Sequence, residues 1–364
     1  MTDRYQVYRK VLKVLKEMMQ LSHPGHLVTL AMLIAGIVVS RHAQLARISS
    51  ETATPAKDKS TEMRFRRWVK NAHLDPEVLY LPFAQHLLAA LAHAPLLLVM
   101  DGSQVGRGCM VLMVSVVYKK RALPLAWLVY RGKKGHTTAQ RHIEALEKVR
   151  PLIPAQAAVI LLGDAEYDTS AMLQWLAANT AWDYVLRTSP QIYVQDGSTS
   201  QAIGDYPLDK GHLWVRPQVG FTQQASSTVN LIGWWGLRYA HPVYLITSIA
   251  ARYQACQYYR RRFRIETFFS DQKSRGFHIH KSHLADPARL ARLLLAACLA
   301  YLWVIAQGLL VLTNQQTGWI DRTDRRDKSL FRLGLDWIHY ALKRNLDFEP
   351  IFHPQFSASL TNVR

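Results

Sequence analysis

Apolar and polar positions divide the chain into short buried-strand patterns and longer amphipathic segments. Near-continuous apolar runs predict strands here, because strands buried on both faces lose the alternation that half-exposed strands show. The predicted strands are Leu96–Met100, Cys109–Tyr118, Leu123–Tyr130, Ala157–Gly163 and Trp182–Leu186. Helical periodicity predicts helices between them, over residues 137–149 and 169–178.

The order of these elements is strand, strand, strand, helix, strand, helix, strand. This is the order of a ribonuclease H-like core, so we predict an α/β fold with a mixed sheet. From Pro190 to His241, turn residues rise and short β pieces alternate with them, which predicts a β-rich insertion. Val243–Ile249 returns to the apolar strand pattern, and a helix is predicted from about Ala250.

The first 75 residues show several short helical patterns. A polar segment, Ser49–Thr61, is predicted to be a loop, and the basic stretch MRFRRWVKN follows it. Two interpretations stay open, a small helical DNA-binding module and a helical cap whose charges only face solvent. A final helix is predicted near the C-terminus.

Two apolar runs raise the question of a membrane. Leu27–Val39 is too short to span a bilayer, whereas Leu293–Leu312 is long enough. The second run follows a dense basic region and has no apolar partner of similar length. We therefore predict that it is a buried central helix and that the chain does not enter a membrane.

The charge of the chain points to a polyanion as partner. Its 364 residues include 45 Lys and Arg against 26 Asp and Glu, a net charge of +19. The alternative is a basic soluble protein without such a partner. Cys109, Cys256 and Cys298 form no CxxC pair and predict neither a zinc site nor disulfides, which fits a reducing cytoplasm.

These patterns together predict five segments. They are a helical N-terminal DNA-binding domain (1–75), the first part of the core (76–189), the β-rich insertion (190–242), the second part of the core (243–313) and a helical tail (314–364).

Three acidic residues are candidates for metal binding. Asp101 and Asp164 each follow an apolar strand, and adjacent parallel strands would bring both carboxylates to one edge of the sheet. Glu266, on a helix packed against that edge, would complete an oxygen site for Mg²⁺ or Mn²⁺. Two such ions activate an attacking oxygen and stabilise a departing one on phosphate.

Each acid also has a plainer interpretation. Aspartate after a strand is often a turn former, and Glu166 and Asp168 compete with Asp164 for the second position. Glu266 is four residues after Arg262 and could simply pair with it.

Glu266 belongs to a set of four residues, with Tyr259, Arg262 and Lys273. On one continuous helix their offsets of 3, 7 and 14 residues would place them within an arc of about 60°, over a length of about 21 Å. That face would carry one carboxylate among a phenol, a guanidinium and an ammonium group. Arg262 suits bidentate phosphate binding, and Lys273 supplies a mobile point charge.

The spacing Tyr-x2-Arg-x3-Glu-x6-Lys, with the flanking RIETFFSDQKSRGF, resembles the signature of DDE transposases of bacterial insertion sequences, specifically the insertion-sequence-four family. The resemblance covers roughly Leu96 to Leu312. It implies that Asp101, Asp164 and Glu266 bind two Mg²⁺ or Mn²⁺ ions and catalyse DNA cleavage and strand transfer.

The resemblance also implies DNA contacts and an assembly. Tyr259, Arg262 and Lys273 would contact phosphates near the cut, and a homodimer would pair two terminal inverted repeats before joining them to target DNA. Several relatives release their element through a hairpin, and some stack a flipped base on an aromatic residue of the insertion. Trp234 and Trp235, and also Trp214, are candidates here, although a hydrophobic core of the insertion is the favoured explanation for them.

Other classes of function remain to be weighed. One is a non-catalytic DNA-binding protein derived from a transposase, and another is a ribonuclease H-like nuclease with a different purpose. We predict the transposase, in the bacterial cytoplasm and associated with the nucleoid.

Overall fold

The computed structural model describes residues 3–19, 23–133, 135, 137–322 and 324–352. Within these residues, ten strands form one mixed sheet and helices cover it. Both classes of element agree with the α/β fold predicted from the sequence.

Helices precede the first strand, as the sequence predicts for the N-terminal region. They are α1 (Asp3–Met18), α2 (Pro24–Ser40), α3 (Leu45–Glu51), α4 (Asp58–Lys70) and α5 (Pro76–Leu91). The loop predicted over Ser49–Thr61 is shorter than expected, since α3 and α4 enter it from both sides. Residues 55–60 are exposed, and the first turn of α4 among them has the polar pattern of a loop, whereas Ser49, Thr52 and Thr61 are buried.

The core strands follow the predicted order. They are β1 (Leu96–Gly106), β2 (Cys109–Tyr118), β3 (Arg121–Arg131), β4 (Val159–Gly163) and β5 (Asp183–Thr188). Two helices connect the last three of them, α6 (Ala139–Glu147) and α7 (Ser170–Asn179).

The core strands lie in the spatial order β3-β2-β1-β4-β5. The first three pair antiparallel, and β1, β4 and β5 are parallel. A helical crossover is the usual way to join parallel neighbours, and α7 stands in that position between β4 and β5. Helix α6 instead leads from β3 past β2 and β1 to β4. This arrangement is consistent with the predicted ribonuclease H-like core.

The β-rich segment continues the same sheet. Its strands are β6 (Tyr193–Asp196), β7 (Thr199–Ala202), β8 (Leu213–Phe221) and β9 (Ser227–Trp234), and β10 (Val243–Thr247) connects them to β5. The sheet order from there is β5-β10-β9-β8-β6-β7, with antiparallel pairing throughout.

The C-terminal half supplies the remaining helices. They are α8 (Arg252–Arg261), α9 (Arg264–Gln272), α10 (Pro287–Thr313) and α11 (Leu330–Lys343). Among the described residues α10 alone is long and apolar enough to cross a membrane, and 94% of its most apolar stretch is buried inside the protein. The predicted buried central helix is therefore confirmed.

Helix α10 packs against α2, α11 and β3, and thereby joins the N-terminal helices to the sheet. The buried Arg292 of α10 donates hydrogen bonds to the carbonyl oxygens of Leu74 (2.9 Å) and Val69 (3.2 Å). The bond to Val69 satisfies a carbonyl group in the last turn of α4, which the end of a helix leaves without a partner inside the helix.

Helices α10 and α11 cross at two glycines. A Cβ atom added to Gly334 would lie 1.8 Å from the carbonyl oxygen of Val304, and one added to Gly308 would lie 2.3 Å from that of Leu330. Only residues without a side chain allow backbones to approach so closely. The predicted final helix is thus held against the central helix by backbone contact.

We expect Gly334→Ala to lower the free energy of unfolding by about 1–3 kcal/mol, since the methyl group forces two packed backbones apart. Urea denaturation of the full chain would measure this. Gly25→Ala is the matched control, because a Cβ atom there meets nothing within 4 Å. Equal stability of the two variants would contradict the close crossing.

Candidate functional site

The first two candidate acids lie at the same edge of the sheet. The parallel register of β1 and β4 ends at the pair Val99 and Leu162. Asp101 and Asp164 each lie two residues beyond this pair, and are therefore level with each other on neighbouring strands. The sequence prediction of adjacent, parallel strands is confirmed. Strand β1, however, continues past Asp101 to Gly106, because its antiparallel pairing with β2 persists there.

The two aspartates make similar local contacts. One carboxylate oxygen of Asp101 accepts a hydrogen bond from the N–H of Gly102 (2.8 Å), and one of Asp164 accepts from the N–H of Ala165 (3.0 Å). The Asp164 side chain is 38% exposed. These backbone contacts orient both carboxylates at the edge of the sheet.

The competing acids after Asp164 have different surroundings. Glu166 accepts from the N–H of Thr137 (3.4 Å) and lies 4.0 Å from the buried ring of His142. Asp168 is only 8% exposed, and burial raises its pKa to about 6. The geometry therefore favours Asp164 as the acid that faces the sheet edge.

Two buried aromatic rings, those of Tyr167 and His142, pack against each other near this edge of the sheet. The ring of Tyr167 packs so closely on Gly163 that a Cβ atom there would lie 3.0 Å from it, and the His142 ring is 4.6 Å away. Burial, and secondly the charge of Asp101, raises the pKa of Tyr167 well above its ordinary value. Burial lowers the pKa of His142 to about 4. Both rings are therefore neutral at pH 7.

The four-residue set does not lie on one continuous helix, which corrects the sequence prediction. Helix α8 ends at Arg261 and α9 begins at Arg264, while Arg262 and Phe263 form a tight turn between them. Lys273 caps the end of α9. Helical periodicity alone cannot show such a break, since two short helices in sequence keep nearly the same pattern.

Arg262 lies between two of the three acids. Its guanidinium is 3.8 Å from a carboxylate oxygen of Asp164 and 3.5 Å from one of Glu266. The arginine is 4% exposed, and burial opposes its charge. Tyr259 and then the carboxylates of Asp164, Asp101 and Glu266 favour that charge, so the pKa of Arg262 is raised. The predicted pairing of Glu266 with Arg262 is present, and the same guanidinium also joins Glu266 to Asp164.

The other members of the set have separate environments. Tyr259 is 2% exposed, and the Arg262 guanidinium lies 5.7 Å from the centre of its ring. Lys273 donates a hydrogen bond to the hydroxyl of Ser103 (2.6 Å), two residues after Asp101 on the same face of β1. Of the three predicted phosphate contacts, Tyr259 and Arg262 are thus buried, and Lys273 is partly exposed.

The acids have the donor chemistry of a magnesium site but do not surround one point. Carboxylate oxygens suit Mg²⁺ or Mn²⁺. Across the described part of the chain, however, no three His, Cys, Asp or Glu side chains lie close enough to share one ion. The expected convergence of Asp101, Asp164 and Glu266 is incomplete, because the Arg262 guanidinium lies between the last two and balances their charge.

Two residues at this edge were not singled out from the sequence. Arg187 of β5 lies 3.8 Å from Asp164, and it directly follows Leu186, which pairs with Gly163. Phe263 is 44% exposed beside the Arg262 guanidinium, which is 4.3 Å from the centre of its ring. The position of Arg187 after an apolar strand resembles that of the aspartates, so the same signal could have found it.

The tryptophans of the insertion are largely occupied by packing. Trp234 is 8% exposed, and the Arg260 guanidinium lies 4.7 Å from its ring. The indole N–H of Trp235 donates to the carbonyl oxygen of Tyr239 (3.1 Å). Trp214 lies over Gly233, where a Cβ atom would be 2.3 Å from its ring. The alternative of a hydrophobic core describes Trp234 better than an open stacking surface does.

A buried ion pair anchors the glutamate helix to the sheet. Asp271 of α9 pairs with Arg121 of β3, and both residues are less than one-tenth exposed. Burial raises the pKa of Asp271, and the Arg121 guanidinium opposes that rise. The pair therefore fixes the height of α9, and with it Glu266, above the sheet.

Removing one charge of this pair should cost more than removing both. We expect Asp271→Asn to lower the free energy of unfolding by about 3–5 kcal/mol, because it leaves the Arg121 charge buried without its carboxylate. Denaturant unfolding would measure this. The double variant Arg121→Met, Asp271→Leu should lose less, and an equal or larger loss would contradict the role of the uncompensated charge.

The edge of the mixed sheet thus presents two level aspartates beside the helix that carries Glu266. Sequence comparison agrees: the profile of the family described as "Transposase DDE domain" matches residues 95–303. The match covers more than half of the chain, and the chain belongs to this family.

The chain was also compared with curated protein sequences and with solved structures. No curated protein sequence matches the chain. Among solved structures, the chain is similar to the one titled "Cryo-EM structure of piggyBac transposase synaptic complex with hairpin DNA (SNHP)", with a TM-score of 0.44 and 10% identity, over 99% of this chain and 84% of that one.

Proposed function

We propose that the chain is a DNA transposase that cuts the ends of its element and joins them to target DNA. The observation that carries this proposal is the level placement of Asp101 and Asp164, with Glu266 joined to Asp164 through one guanidinium, inside the family match. The net charge of +19 supports DNA as the partner.

Asp101, Asp164 and Glu266 would hold two Mg²⁺ or Mn²⁺ ions. When bound, these ions supply Lewis-acid activation of the attacking oxygen and stabilisation of the leaving oxygen. In our proposal a DNA phosphate competes for the Arg262 guanidinium, which prefers bidentate phosphate contacts, and so frees the carboxylates of Asp164 and Glu266.

The basic residues would position the DNA strand. Lys273, whose ammonium group donates to Ser103 two residues after Asp101 on β1, would contact a phosphate oxygen. Tyr259 supports Arg262 through its ring rather than reaching DNA itself. Arg187 adds a partly exposed charge next to Asp164.

The spacing of the four-residue set supports placement in the insertion-sequence-four family. We propose a cut-and-paste route, with a hairpin on the transposon end as its intermediate, and a homodimer that pairs two terminal repeats. The protein would act on nucleoid DNA in the bacterial cytoplasm.

The role of each acid in catalysis can be tested by an amide substitution of nearly the same size and shape. We expect Asp101→Asn, Asp164→Asn and Glu266→Gln each to slow end cleavage by about 100-fold or more, because a lost carboxylate removes several kcal/mol of transition-state stabilisation. Cleavage of labelled terminal DNA in Mg²⁺ would measure this, with DNA binding measured in parallel.

The exposed acid Asp205, outside this edge, provides the matched control as Asp205→Asn. Full cleavage by one of the three test variants would remove that residue from the mechanism. DNA binding by the parent chain without any metal-dependent product would favour a non-catalytic regulator. Cleavage without joining to a target plasmid would favour a nuclease of another purpose.

Phe263 is a better candidate for base stacking than the insertion tryptophans. It is 44% exposed and lies between Arg262 and Glu266 in sequence, whereas Trp234 is buried. Stacking of one base on an aromatic ring contributes about 1–3 kcal/mol.

We therefore expect Phe263→Ala to reduce the fluorescence change of 2-aminopurine placed next to the cut, and Phe263→Trp to retain it. Tyr253→Ala is the control, since Tyr253 is a 64% exposed aromatic residue at the other end of α8. A larger loss with Trp235→Ala than with Phe263→Ala would return the role to the insertion.

A further inference from the structure

A group of histidines lies where the chain after α9 meets the linker between α2 and α3. The N–H of Ala43 donates to the carbonyl oxygen of Phe277 (2.6 Å), and beside this bond the rings of His42 and His278 stack 5.1 Å apart. The ring of His280 is 6.0 Å from that of His278. Together with two nearby cations they form the histidine cluster, which comprises His42, Arg47, His278, His280 and Lys281.

The charged groups that act on the three histidines of the cluster are all positive. After burial, the groups that lower the pKa of His42 to about 4 are Arg47, His278, Lys281 and His280. Burial, and then the charges of Lys281 and Arg47, lowers the pKa of His278. His280 is affected by burial and then by His278, Lys281 and Lys273. Every group that shifts these three pKa values is a cation or becomes one, so an anion would relieve the repulsion.

The ring nitrogens also point to a ligand. His278 has φ 51° and ψ 39°, a left-handed conformation that histidine tolerates better than most residues other than glycine. Its Nδ1 atom is buried without a hydrogen-bond partner among the described residues. His42 accepts a hydrogen bond at Nδ1 from the N–H of Gln44 (3.0 Å), so its Nε2 carries the proton and is a donor while the ring is neutral.

The cluster is connected to the catalytic edge. The N–H of His278 donates to the carbonyl oxygen of Lys273 (2.9 Å), and the Lys273 ammonium group donates to Ser103, two residues after Asp101 on β1. A DNA strand that passes Lys273 would therefore meet the cluster next. His280, Lys281 and Arg47 are exposed to receive it.

We propose that the histidine cluster binds a backbone phosphate diester of the DNA beyond the cutting site. This inference rests on the proposed function and adds a second anion site to it. The neutral His42 donates from Nε2, and Arg47 and Lys281 supply fixed charge. His278 and His280 each take up one proton from solvent as the phosphate binds, because its negative charge favours their cationic forms.

The resulting prediction concerns pH. Since binding takes up protons, affinity for DNA should rise as pH falls, by about 3- to 10-fold between pH 8 and pH 6 at constant ionic strength. Fluorescence anisotropy of the full chain would measure this on a labelled duplex from an end of the encoding element, with EDTA present to prevent cleavage. His280→Gln should remove about half of this pH dependence and weaken binding at pH 6.

Two further variants sharpen the experiment. His278→Asn removes the second titrating ring and keeps a residue that tolerates the left-handed conformation. His241→Gln is the matched control, because His241 is an exposed histidine in the β9–β10 connection, outside the cluster. It should behave like the parent chain.

The outcomes separate the two proposals. DNA binding by the parent chain with no dependence on pH, or an unchanged dependence in both His280→Gln and His278→Asn, would overturn the histidine site and leave DNA binding intact. Loss of the dependence in His241→Gln to the same extent would overturn it as well. No binding to DNA at any pH would instead refute the proposed function.

Discussion

The parallel pairing of β1 with β4 is the constraint on which the candidate site depends. Backbone hydrogen bonds fix the register between the strands, so that Asp101 and Asp164 stand level at one edge. A shift of one residue would turn one carboxylate to the opposite face of the sheet. The central helix α10 and the ion pair of Asp271 with Arg121 then hold the remaining elements against this frame.

The positions of the acids at this edge of the sheet also depend on a balance between negative and positive charge. Two carboxylates that approach each other without a cation repel, and here Arg262 supplies that cation from the turn between α8 and α9. Phe263 of the same turn is exposed, and Tyr259 of the preceding helix is buried. A single break in a helix therefore sets the positions of a carboxylate, a guanidinium and an aromatic ring. On the far side of Lys273, the histidine cluster shows the opposite imbalance, with cations held close together.

Much of the fold could be predicted from the sequence because its strands are strongly apolar. Cys109–Tyr118 has the same bounds in the prediction and in the structure, and the central helix was recognised despite its membrane-like composition. Strand β1 was predicted too short, since the polar residues after Met100 break the apolar pattern while backbone pairing with β2 continues. The β-rich character of the insertion was predicted, but its place in the same sheet was not. Edge pairing over long sequence distances leaves no local signal.

The sequence by itself determined the identities and spacing of the acids, the order of the core elements and the excess of positive charge, because these are properties of local pattern and composition. Only the tertiary structure decided which groups face each other. It broke the predicted helix at Arg262, buried Trp234 under Arg260 and brought His42 against His278 across more than two hundred residues. Such contacts depend on packing between distant segments, and the balance of burial and charge that selects them arises only once the chain has folded.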